Sequence, residues 1–379
     1  MNGIRELAPG ASLKFDFNSW SLNEEMTWEE YYSSTPFYKE KNNQDNFLKY
    51  KIHSKNILTE NLSTAVAKRF YSDVPVQIAL SGGIDSTVLA LEAVKFGNHF
   101  DRAITVSSSS RPSELNKSKN LCEKFSINQL SIDFDAIDIL KYLKLAIKAQ
   151  GAPLSHPHAL AVYLLTEEAG MHGKVLITGE GADELMYGYE HYKDNNFTFA
   201  FIQHLNPSDF FEIPESKINV EYGCCNANNY LQNNDYRDLD VKTHLLSLLR
   251  RNDRISMNNS VEMRSAYLDF ELFKTGALFQ DSGLISKDKG ILLSLIKSSF
   301  PEYQQDLKKI GFYVPFDDWF KSQVNVNKRI IYYINKSLDY LRIEHQWNLR
   351  KSVSIEGKLA WALINIGIFL DLESEISYE

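Results

Sequence analysis

The stretch VQIALSGGIDSTVLALEAVKFG, residues 76–97, holds two adjacent glycines where one sequence pattern gives way to another. A short apolar run before them predicts a buried strand, Val76–Leu80, and apolar residues at helical spacing after them predict a helix, Ile84–Phe96. Glycines at such a switch let the backbone turn tightly and approach a ligand closely. Because the first turn of a helix offers free N–H groups and the positive end of its dipole, the pattern predicts a phosphate site.

Polar side chains in the same turn add to this prediction. Ser81 and Ser86 supply hydroxyl donors, whereas Asp85 suits a phosphate site only when a cation lies between them, which indicates Mg²⁺. The alternative is an ordinary strand-to-helix turn capped by Ser81, and it would be favoured for Ser-Gly-Gly alone. The full Ser-Gly-Gly-x-Asp-Ser, directly after an apolar strand, favours the phosphate site.

The alternation of strand and helix continues past this turn and sets the predicted fold. Strands separated by helices indicate an α/β fold, in which a parallel sheet carries helices on both faces, followed by a helical C-terminal elaboration. Ligands of such sheets bind beyond the carboxyl ends of the strands, at a switch in strand order. The other predicted elements are a helix near Lys55–Phe70, strands Ala103–Val106, Gln129–Asp133 and Lys174–Thr178, helices Glu114–Phe125, Ala136–Gln150 and Ala159–Met171, and C-terminal helices Thr243–Arg251, Gly290–Ser299 and Lys358–Leu370.

Two regions lack a clear period. Roughly the first 50 residues are rich in Asn, Lys, Glu and aromatic residues, and they are predicted to be irregular. From Tyr189 to about Asp240 the chain is again rich in Asn and aromatic residues, which predicts an insertion that forms a lid or a partner surface.

Composition bounds the class of protein. The 379 residues suggest two or three domains, or one core with a large elaboration, and 44% hydrophobic with 24% charged residues is typical of a soluble globular protein. The formal net charge of −8 argues against a nucleic-acid surface, which usually needs a basic excess, and weakly against anionic membranes.

Cysteines and apolar runs indicate the compartment. The three cysteines lack metal-type spacing and favour a reducing compartment, and the adjacent Cys224 and Cys225 are interpreted as buried or half-buried thiols rather than a redox site. The N-terminus has no apolar leader, and the run Leu359–Leu370 falls short of the roughly 20 residues that span a bilayer. A cytoplasmic protein is expected.

Four motifs in order carry a family resemblance. The hexapeptide Ser81–Ser86 resembles the PP-motif of the N-type ATP pyrophosphatases, which cleave ATP between the α- and β-phosphates. VLITGEGADELMYGY, residues 175–189, looks like the second signature of the asparagine synthetase family's synthetase domain. RNDRISMNNSVEMRSAYLDFEL (251–272) and LKKIGFYVPFDDW (307–319) are similar to its later motifs. The chain, from roughly Lys55 to its end, is identified as a member of that family, with a PP-loop (HUP-like) fold.

The resemblance implies roles for individual residues. Asp85 and Asp183 would together hold Mg²⁺ on the triphosphate, because hard oxygen ligands suit that ion. Glu180 would orient or deprotonate the reactants beside the reacting carboxylate and the incoming nitrogen. Lys309 would stabilise charge on the phosphate and on the tetrahedral intermediate, although taken singly it is one of a surface lysine pair. The residues implied to bind ATP are Leu80, Ser81, Gly82, Gly83, Asp85, Ser86, Val106, Thr178 and Gly179, and those implied to be structural are Asp253, Arg254, Glu262 and Arg264.

Family members usually begin with a glutaminase domain whose cysteine nucleophile directly follows the initiator methionine. Here Asn2 follows Met1, and residues 3–15 resemble the end of that domain and its linker. Residues 1–54 are therefore expected to be this end segment and 55–379 the synthetase domain, with an insertion at about 190–240 and a helical part at about 241–379. Nitrogen is expected from free ammonia, a separate glutaminase subunit or an amine-bearing substrate. A glutaminase partner or self-association is expected at the N-terminal face.

Several departures from the family bear on the substrate. In QGAPLSHPHALAVYLL, residues 150–165, His156 and His158 are interpreted as pocket-lining or surface histidines rather than metal ligands. Leu293 and Leu307 occupy positions often held by Arg. The smaller positive charge weakens the case for free aspartate, a dianion.

The resemblance implies amide formation through an acyl-adenylate, with release of pyrophosphate and AMP, and by family default it converts aspartate to asparagine. The alternative is a specialised synthetase acting on a metabolite, sugar acid or peptide, or a cyclase like the β-lactam synthetases and lasso-peptide cyclases. A tRNA- or nucleotide-modifying PP-loop enzyme is disfavoured by the absence of basic runs and by the Glu180–Glu184 motif. A nucleotide-binding subunit without catalysis is disfavoured because Asp85, Glu180, Asp183 and Lys309 are all present.

Overall fold

A computed structural model of the chain shows how the predicted elements assemble. It describes residues 12–19, 21–26, 44–95, 97, 100–109, 112–189, 237, 240–280, 289–304, 316–323, 328–341 and 357–376. Lys309, Cys224, Cys225 and almost all of the predicted insertion lie outside these residues.

The described elements are as follows. The strands are β1 Ser12–Asp16, β2 Ser21–Met26, β3 Val76–Ala79, β4 Arg102–Ser107, β5 Gln129–Asp133, β6 Val175–Thr178 and β7 Glu262–Ser265. The helices are α1 Gln44–Arg69, α2 Ile84–Lys95, α3 Pro112–Lys124, α4 Ile139–Gln150, α5 His158–His172, α6 Ala182–Met186, α7 Leu246–Asn258, α8 Phe270–Gln280, α9 Gly290–Ser299, α10 Phe316–Gln323, α11 Lys328–Tyr340 and α12 Gly357–Ile376. A short 3₁₀ turn, Phe134–Ala136, precedes α4, and a π turn, Val241–Leu245, precedes α7.

A five-stranded sheet in the order β5-β4-β3-β6-β7 forms the centre of the fold, and every pairing in it is parallel. From β3 the chain moves outward through β4 to β5, and then returns to the other side of β3 with β6. The order therefore switches between β3 and β6. The carboxyl ends of these two neighbouring strands form the crevice in which such sheets bind ligands.

Side chains of the central strands alternate between two cores, as the period of a strand requires. Ile78 and Ile177 point into a cluster that contains residues of α1, α2, α8 and α9. Ile104 and Leu176 face the opposite way and pack with Leu165 of α5. Because each of these apolar side chains stabilises the fold by about 1.5–3 kcal/mol when buried, the alternation fixes which face of every strand meets which helix. The predicted α/β fold with helices on both faces is confirmed.

A third cluster joins the sheet to the helical C-terminal part. Residues of α10, α11 and α12 pack against α4 and α5, with Trp361 donating its indole N–H to the carbonyl of Leu154 at 3.0 Å. The end of the chain thus buttresses the layer of helices that carries the loop before α5.

The predicted strands of the sheet agree with the structure to within one or two residues, but several elements differ. The prediction that the first 50 residues are irregular was wrong for β1 and β2, which form an antiparallel pair, and for the start of α1 at Gln44. Leu13 and Phe15 do alternate with polar residues, yet both remain exposed, so the pattern was short and carried little burial. The strand β7 and the helices α8, α10 and α11 were not predicted. The sequence of β7, EMRS, lacks an apolar run because this strand lies at the edge of the sheet.

Two smaller expectations concern cysteine and membranes. Cys122 is buried, and burial raises the pKa of its thiol to about 12, so the thiol is unreactive in the folded state. Among the described residues, no helix is long and apolar enough to cross a membrane.

Candidate functional site

The glycine turn between β3 and α2 needs its glycine for two reasons. Gly82 has φ +80°, a left-handed conformation that L-residues adopt at a cost. A Cβ on Gly82 would also lie 2.5 Å from the carbonyl oxygen of Glu114 on α3. Its own carbonyl accepts a hydrogen bond from the hydroxyl of Tyr303 at 3.1 Å. The turn is therefore packed between α3 and the side chain of Tyr303.

The two serines of the motif hold each other inside this turn. The Ser81 N–H donates to Ser86 Oγ at 3.2 Å, and the two hydroxyl oxygens lie 3.1 Å apart. The Gly83 N–H donates to Ser81 Oγ at 3.3 Å. Both hydroxyls are thus fixed at the carboxyl end of β3, where the sequence predicted nucleotide-binding groups.

The two predicted metal ligands meet at the switch point. Asp85 lies in the first turn of α2, after β3, and Asp183 lies in α6, after β6. The Nζ of Lys289 bridges them, at 2.5 Å from Asp85 Oδ1 and 2.7 Å from Asp183 Oδ1. The structure thus brings the two predicted metal ligands together around one cation, the ammonium of Lys289.

The bridging lysine is buried, with 5% of its side chain exposed. Burial by itself would lower the pKa of the Lys289 ammonium, but Asp85 and Asp183 outweigh burial and hold this pKa above its ordinary value. The ammonium is therefore charged, and it offsets part of the repulsion between two acids held at close range.

The surroundings of this ion cluster leave little room. A Cβ on Gly188 would overlap the carboxylate of Asp183 and the Cε of Lys289, and a Cβ on Gly179 would lie 3.3 Å from the Cβ of Asp85. The Tyr267 hydroxyl donates to the backbone carbonyl of Asp85 at 2.9 Å. Glycines and a buried tyrosine thus set the separation of the two carboxylates.

Sequence reasoning missed Lys289. It lies directly before α9, whose start was predicted at Gly290, and it adopts a left-handed conformation with φ 53°. A lysine before a glycine and an apolar helix is a weak signal, because most lysines at such positions are solvated. Its partner Asp85 is 204 positions away, so only the fold brings them together.

These residues fit a magnesium ion by their chemistry. Two carboxylate oxygens converge on one cation, and side chains that are 20% and 19% exposed keep a path to solvent. Mg²⁺ prefers such oxygen ligands and is usually bound by one or two carboxylates together with phosphate and water. Among the described residues, no group of three or more His, Cys, Asp or Glu side chains forms a complete metal cage.

Glu180 marks a second part of the site, beyond the end of β6. Its Oε1 lies 3.4 Å from Nη2 of Arg251, and its backbone carbonyl accepts a hydrogen bond from the hydroxyl of Ser265. Its side chain is 27% exposed, whereas that of Arg251 is 7% exposed. Glu180 is therefore the accessible member of a pair whose cation is buried.

Glu184 lies one turn further on and is buried, with 1% of its surface exposed. Burial, and after it the nearby carboxylate of Asp183, raises the pKa of Glu184 to about 8. The Tyr189 hydroxyl donates to Glu184 Oε1 at 3.0 Å. Glu184 thus keeps its proton to a higher pH than an ordinary glutamate, and the motif Gly-Glu-Gly-Ala-Asp-Glu contains carboxyl groups in three different environments.

The remaining predicted residues lie on several elements. Leu80, Val106 and Thr178 lie at the ends of the adjacent strands β3, β4 and β6. His156 and His158 stack with ring centroids 3.9 Å apart just before and at the start of α5. The position of Lys309 lies outside the described residues.

The residues predicted to be structural make structural contacts. Arg264 Nε donates to Glu262 Oε1 at 2.8 Å at the edge of the sheet. Arg254 donates to the backbone carbonyl of Gln150 at 3.1 Å and so ties α7 to the end of α4.

Comparison with known proteins shows which family this chain matches. The family model for asparagine synthase matches residues 58–331. The chain is similar to asparagine synthetase (glutamine-hydrolyzing) 1 of Bacillus subtilis, with 27% identity over 309 residues, which cover 67% of this chain and 48% of that protein. A putative asparagine synthetase (glutamine-hydrolyzing) of Mycobacterium bovis is 24% identical over 327 residues, or 70% of this chain and 49% of that protein. The chain thus spans about half the length of the curated relatives it matches.

Among solved structures, an NMN synthetase from Francisella tularensis covers 69% of this chain and 99% of its own, at 17% identity and a TM-score of 0.27. An NH₃-dependent NAD synthetase from Campylobacter jejuni covers 55% of this chain, at 16% identity and a TM-score of 0.25. Scores this low carry no argument about fold or function.

Proposed function

This chain belongs to the asparagine synthase family, and we propose that it uses ATP to join a carboxylate to a nitrogen nucleophile as an amide. The acceptor carboxylate attacks the α-phosphorus of ATP, which releases pyrophosphate and leaves an acyl-adenylate. The nitrogen nucleophile then attacks the acyl carbon, gives up a proton and displaces AMP.

One observation carries this proposal. Asp85 and Asp183 come from two strands that are far apart in sequence, yet their carboxylates converge on one cation position at the switch point of a parallel sheet. A glycine turn with two fixed hydroxyls lies beside them. Carboxylates next to a phosphate-binding turn are compatible with a nucleotide only when positive charge accompanies them, and here the ammonium of Lys289 lies between the two carboxylates.

The nucleotide side of the proposed site comprises Asp85, Asp183, Lys289 and the glycine turn. Asp85 and Asp183 would hold Mg²⁺, which, when bound, draws negative charge from the triphosphate and favours departure of pyrophosphate. Lys289 holds the two acids close together. Ser81 and the N–H groups of the glycine turn orient the same phosphates.

Glu180 and Lys309 are assigned to the acceptor side of the site, where the carboxylate is converted to an amide. The accessible carboxylate of Glu180, at the end of β6, orients the acceptor or takes a proton from the nitrogen nucleophile. Lys309 stabilises the charge that develops on the α-phosphate and on the tetrahedral intermediate.

The acceptor proposed by family default is aspartate, with ammonia delivered from outside this chain, either free or from a separate glutaminase subunit. The alternative is a specialised amide synthetase or cyclase, of the β-lactam synthetase kind or acting on a peptide or metabolite. For either substrate class, residues 1–54 would form a segment next to the synthetase domain. The face of this N-terminal segment is the proposed site for a glutaminase partner or for self-association.

Product analysis tests the proposal. The protein is incubated with MgATP, ammonia and a panel of carboxylates headed by L-aspartate, and nucleotides are separated by chromatography. Carboxylate-dependent formation of AMP and pyrophosphate, with a hydroxamate when hydroxylamine replaces ammonia, supports the acyl-adenylate route. Formation of ADP and phosphate instead would contradict it.

Two neighbouring lysines offer a matched pair for the same assay. Lys309→Met should lower turnover by about 100- to 1,000-fold, because it removes one charge-stabilising group. Lys308→Met changes the adjacent lysine and should leave turnover nearly unchanged. Equal effects of the two substitutions would remove Lys309 from the mechanism.

A further inference from the structure

Arg251 presents a buried guanidinium that its surroundings do not fully satisfy. It lies on α7, and 6% of its surface is exposed. Its Nε and Nη2 donate to Asn252 Oδ1 at 3.0 and 2.8 Å, and Nη2 also reaches Glu180 Oε1 at 3.4 Å. Its Nη1 is buried too, and within the described part of the chain it has no hydrogen-bond partner.

A buried guanidinium with an unpartnered donor would be stabilised by a bound anion. Burial lowers the pKa of Arg251, and the long contact to Glu180 only partly opposes that effect. Asn252 is neutral, so it satisfies donors without compensating charge. Buried charges are normally paired and hydrogen-bonded, and native structures seldom leave a guanidinium nitrogen without a partner.

The neighbourhood of Arg251 has a second atom of this kind. One turn along α7, Arg254 donates to the backbone carbonyl of Gln150, which places the end of α4 against the same helix. The side-chain oxygen of Gln150 is also buried, and it has no partner among the residues described. The unpartnered Nη1 of Arg251, beside Glu180, indicates a polar ligand on this side of the site rather than a closed apolar core.

The position of Arg251 favours the acceptor over the nucleotide. The carboxylates of the nucleotide side are already paired with Lys289, whereas Arg251 approaches Glu180 from α7. A planar guanidinium suits a carboxylate, because its N–H donors match the spacing of two carboxylate oxygens.

The charge of the acceptor changes during the reaction, and this change indicates which of its anionic groups Arg251 binds. The reacting carboxylate loses its charge when it becomes an acyl-adenylate. A cation that paired with it would stabilise the starting state more than the transition state and so would slow the step. An anion that stays ionised throughout can pair with Arg251 in every state.

We propose that Arg251 binds a second anionic group of the acceptor, so that the substrate is a dicarboxylate or an acid with a comparable second anion. This inference rests on the proposed function and deepens it.

Pairs of acids that differ by one carboxylate test the proposal. Pyrophosphate–ATP exchange is measured with L-aspartate and β-alanine, succinate and propionate, and L-glutamate and 4-aminobutyrate. The wild-type protein should favour the dicarboxylate of at least one pair by about 100-fold or more in kcat/KM, since loss of a recognised polar group leaves Arg251 unpaired. Arg251→Met should abolish that preference, Arg251→Lys should restore part of it, and MgATP affinity should stay unchanged.

Arg254→Met is the matched control, because it removes an arginine of the same helix that donates to the backbone carbonyl of Gln150. It should keep the preference for the dicarboxylate. If Arg251→Met instead lowers turnover equally for both members of every pair, Arg251 serves only to position Glu180 and the proposal is overturned. A wild-type preference for the monocarboxylates overturns it as well.

Ligand-induced thermal stabilisation separates this proposal from the proposed function. Without nucleotide, the dicarboxylates should raise the Tm of the wild-type protein and of Arg251→Lys, but not of Arg251→Met, because a ligand that binds the folded state stabilises it. If they do so while no acid supports exchange, the anion site stands and the proposed reaction fails. If exchange proceeds but neither Tm nor kcat/KM distinguishes the two members of a pair, the anion site is refuted and the reaction stands. The absence of both exchange and stabilisation refutes the anion site too.

Discussion

The two sides of the crevice between β3 and β6 treat their charges differently. On the nucleotide side, Asp85 and Asp183 share the ammonium of Lys289 at 2.5 and 2.7 Å. On the acceptor side, Glu180 reaches Arg251 at 3.4 Å, Arg251 Nη1 lacks a partner among the described residues, and burial raises the pKa of Glu184 to about 8. The acids on the nucleotide side are therefore paired with a buried cation. The buried guanidinium on the acceptor side still has a donor without a partner among the described residues.

This difference follows from what each side must recognise. A triphosphate with its metal is the same in every turnover, so fixed carboxylates and a rigid glycine turn can be built around it. The acceptor differs between enzymes of one family, and its recognition depends on single buried groups such as Arg251. Substitutions on the two sides should accordingly have different signatures.

Lys289→Met should produce the largest effect. It leaves two carboxylates together without their cation, so the free energy of unfolding should fall by about 3–5 kcal/mol, and turnover should fall by about 100-fold or more. Lys297→Met, at an exposed position on α9, is the control and should change neither quantity appreciably. Urea denaturation and the exchange assay measure the two effects. A stable, active Lys289→Met protein would show that the two acids do not need this lysine.

Glu184 gives the next largest effect, and it depends on pH. Its pKa is about 8 when folded, against 4.5 for an ordinary glutamate. Between these values the folded state binds more protons than the unfolded state, so the contribution of Glu184 to stability is lost as pH rises. Glu184→Gln cannot ionise in either state. Its stability relative to the wild-type protein should therefore rise by up to about 1.4 kcal/mol per pH unit across this window.

Denaturation at about pH 5 and about pH 8 measures this difference. Glu123→Gln, at an exposed position on α3, should show the same small difference from wild type at both values. A difference for Glu184→Gln that does not change with pH would mean that Glu184 is ionised in the folded protein, and the contrast between the two sides would lose one of its supports.

Gly82→Ala should lower the free energy of unfolding by a smaller amount, and it tests whether the glycine turn is rigid. Both Gly82 and Gly151 have positive φ, but only the Cβ at Gly82 would clash, with the carbonyl of Glu114. Gly82→Ala should be less stable than Gly151→Ala by about 1–3 kcal/mol and should bind MgATP more weakly. Thermal denaturation and nucleotide titration provide the comparison, and equal behaviour of the two variants would show that the turn can shift without loss.

Glu262→Gln should have the smallest effect. The Glu262 carboxylate is 58% exposed, and hydrogen bonds from Arg264 lower its pKa. An exposed ion pair is screened by water and salt, so its loss should cost less than about 1 kcal/mol. Double-mutant analysis with Arg264→Gln measures the coupling. A coupling as large as that of Lys289 with its acids would contradict the distinction between buried and surface pairs.

The extent to which the sequence predicts this molecule follows from the range of its interactions. Apolar runs and helical periods are local, and they predicted β3, β4, β5 and β6 and the helices between them. The glycine turn is local as well, which is why Ser81 to Ser86 could be assigned before the fold was known. The polar edge strand β7 has no such pattern, and it forms because β6 offers it a partner.

Long-range contacts explain what the sequence did not reveal on the two sides of the crevice. Lys289 meets Asp85 across 204 positions, and nothing in its neighbours distinguishes it from a solvated lysine. Arg250, Arg251 and Arg254 look alike in sequence, and only packing decides that Arg251 is buried beside Glu180. Family resemblance supplied Glu180 and Asp183, but the charge balance around them is a property of the fold.

The most direct test of the account is pyrophosphate–ATP exchange by the wild-type protein and by Asp85→Asn, with Asp101→Asn as a surface control. The account predicts exchange that depends on a carboxylate, is retained in Asp101→Asn, and falls by about 100-fold or more in Asp85→Asn, because that carboxylate organises the charge on which pyrophosphate departs. Exchange that persists undiminished in Asp85→Asn, or hydrolysis of ATP to ADP without any exchange, would contradict it.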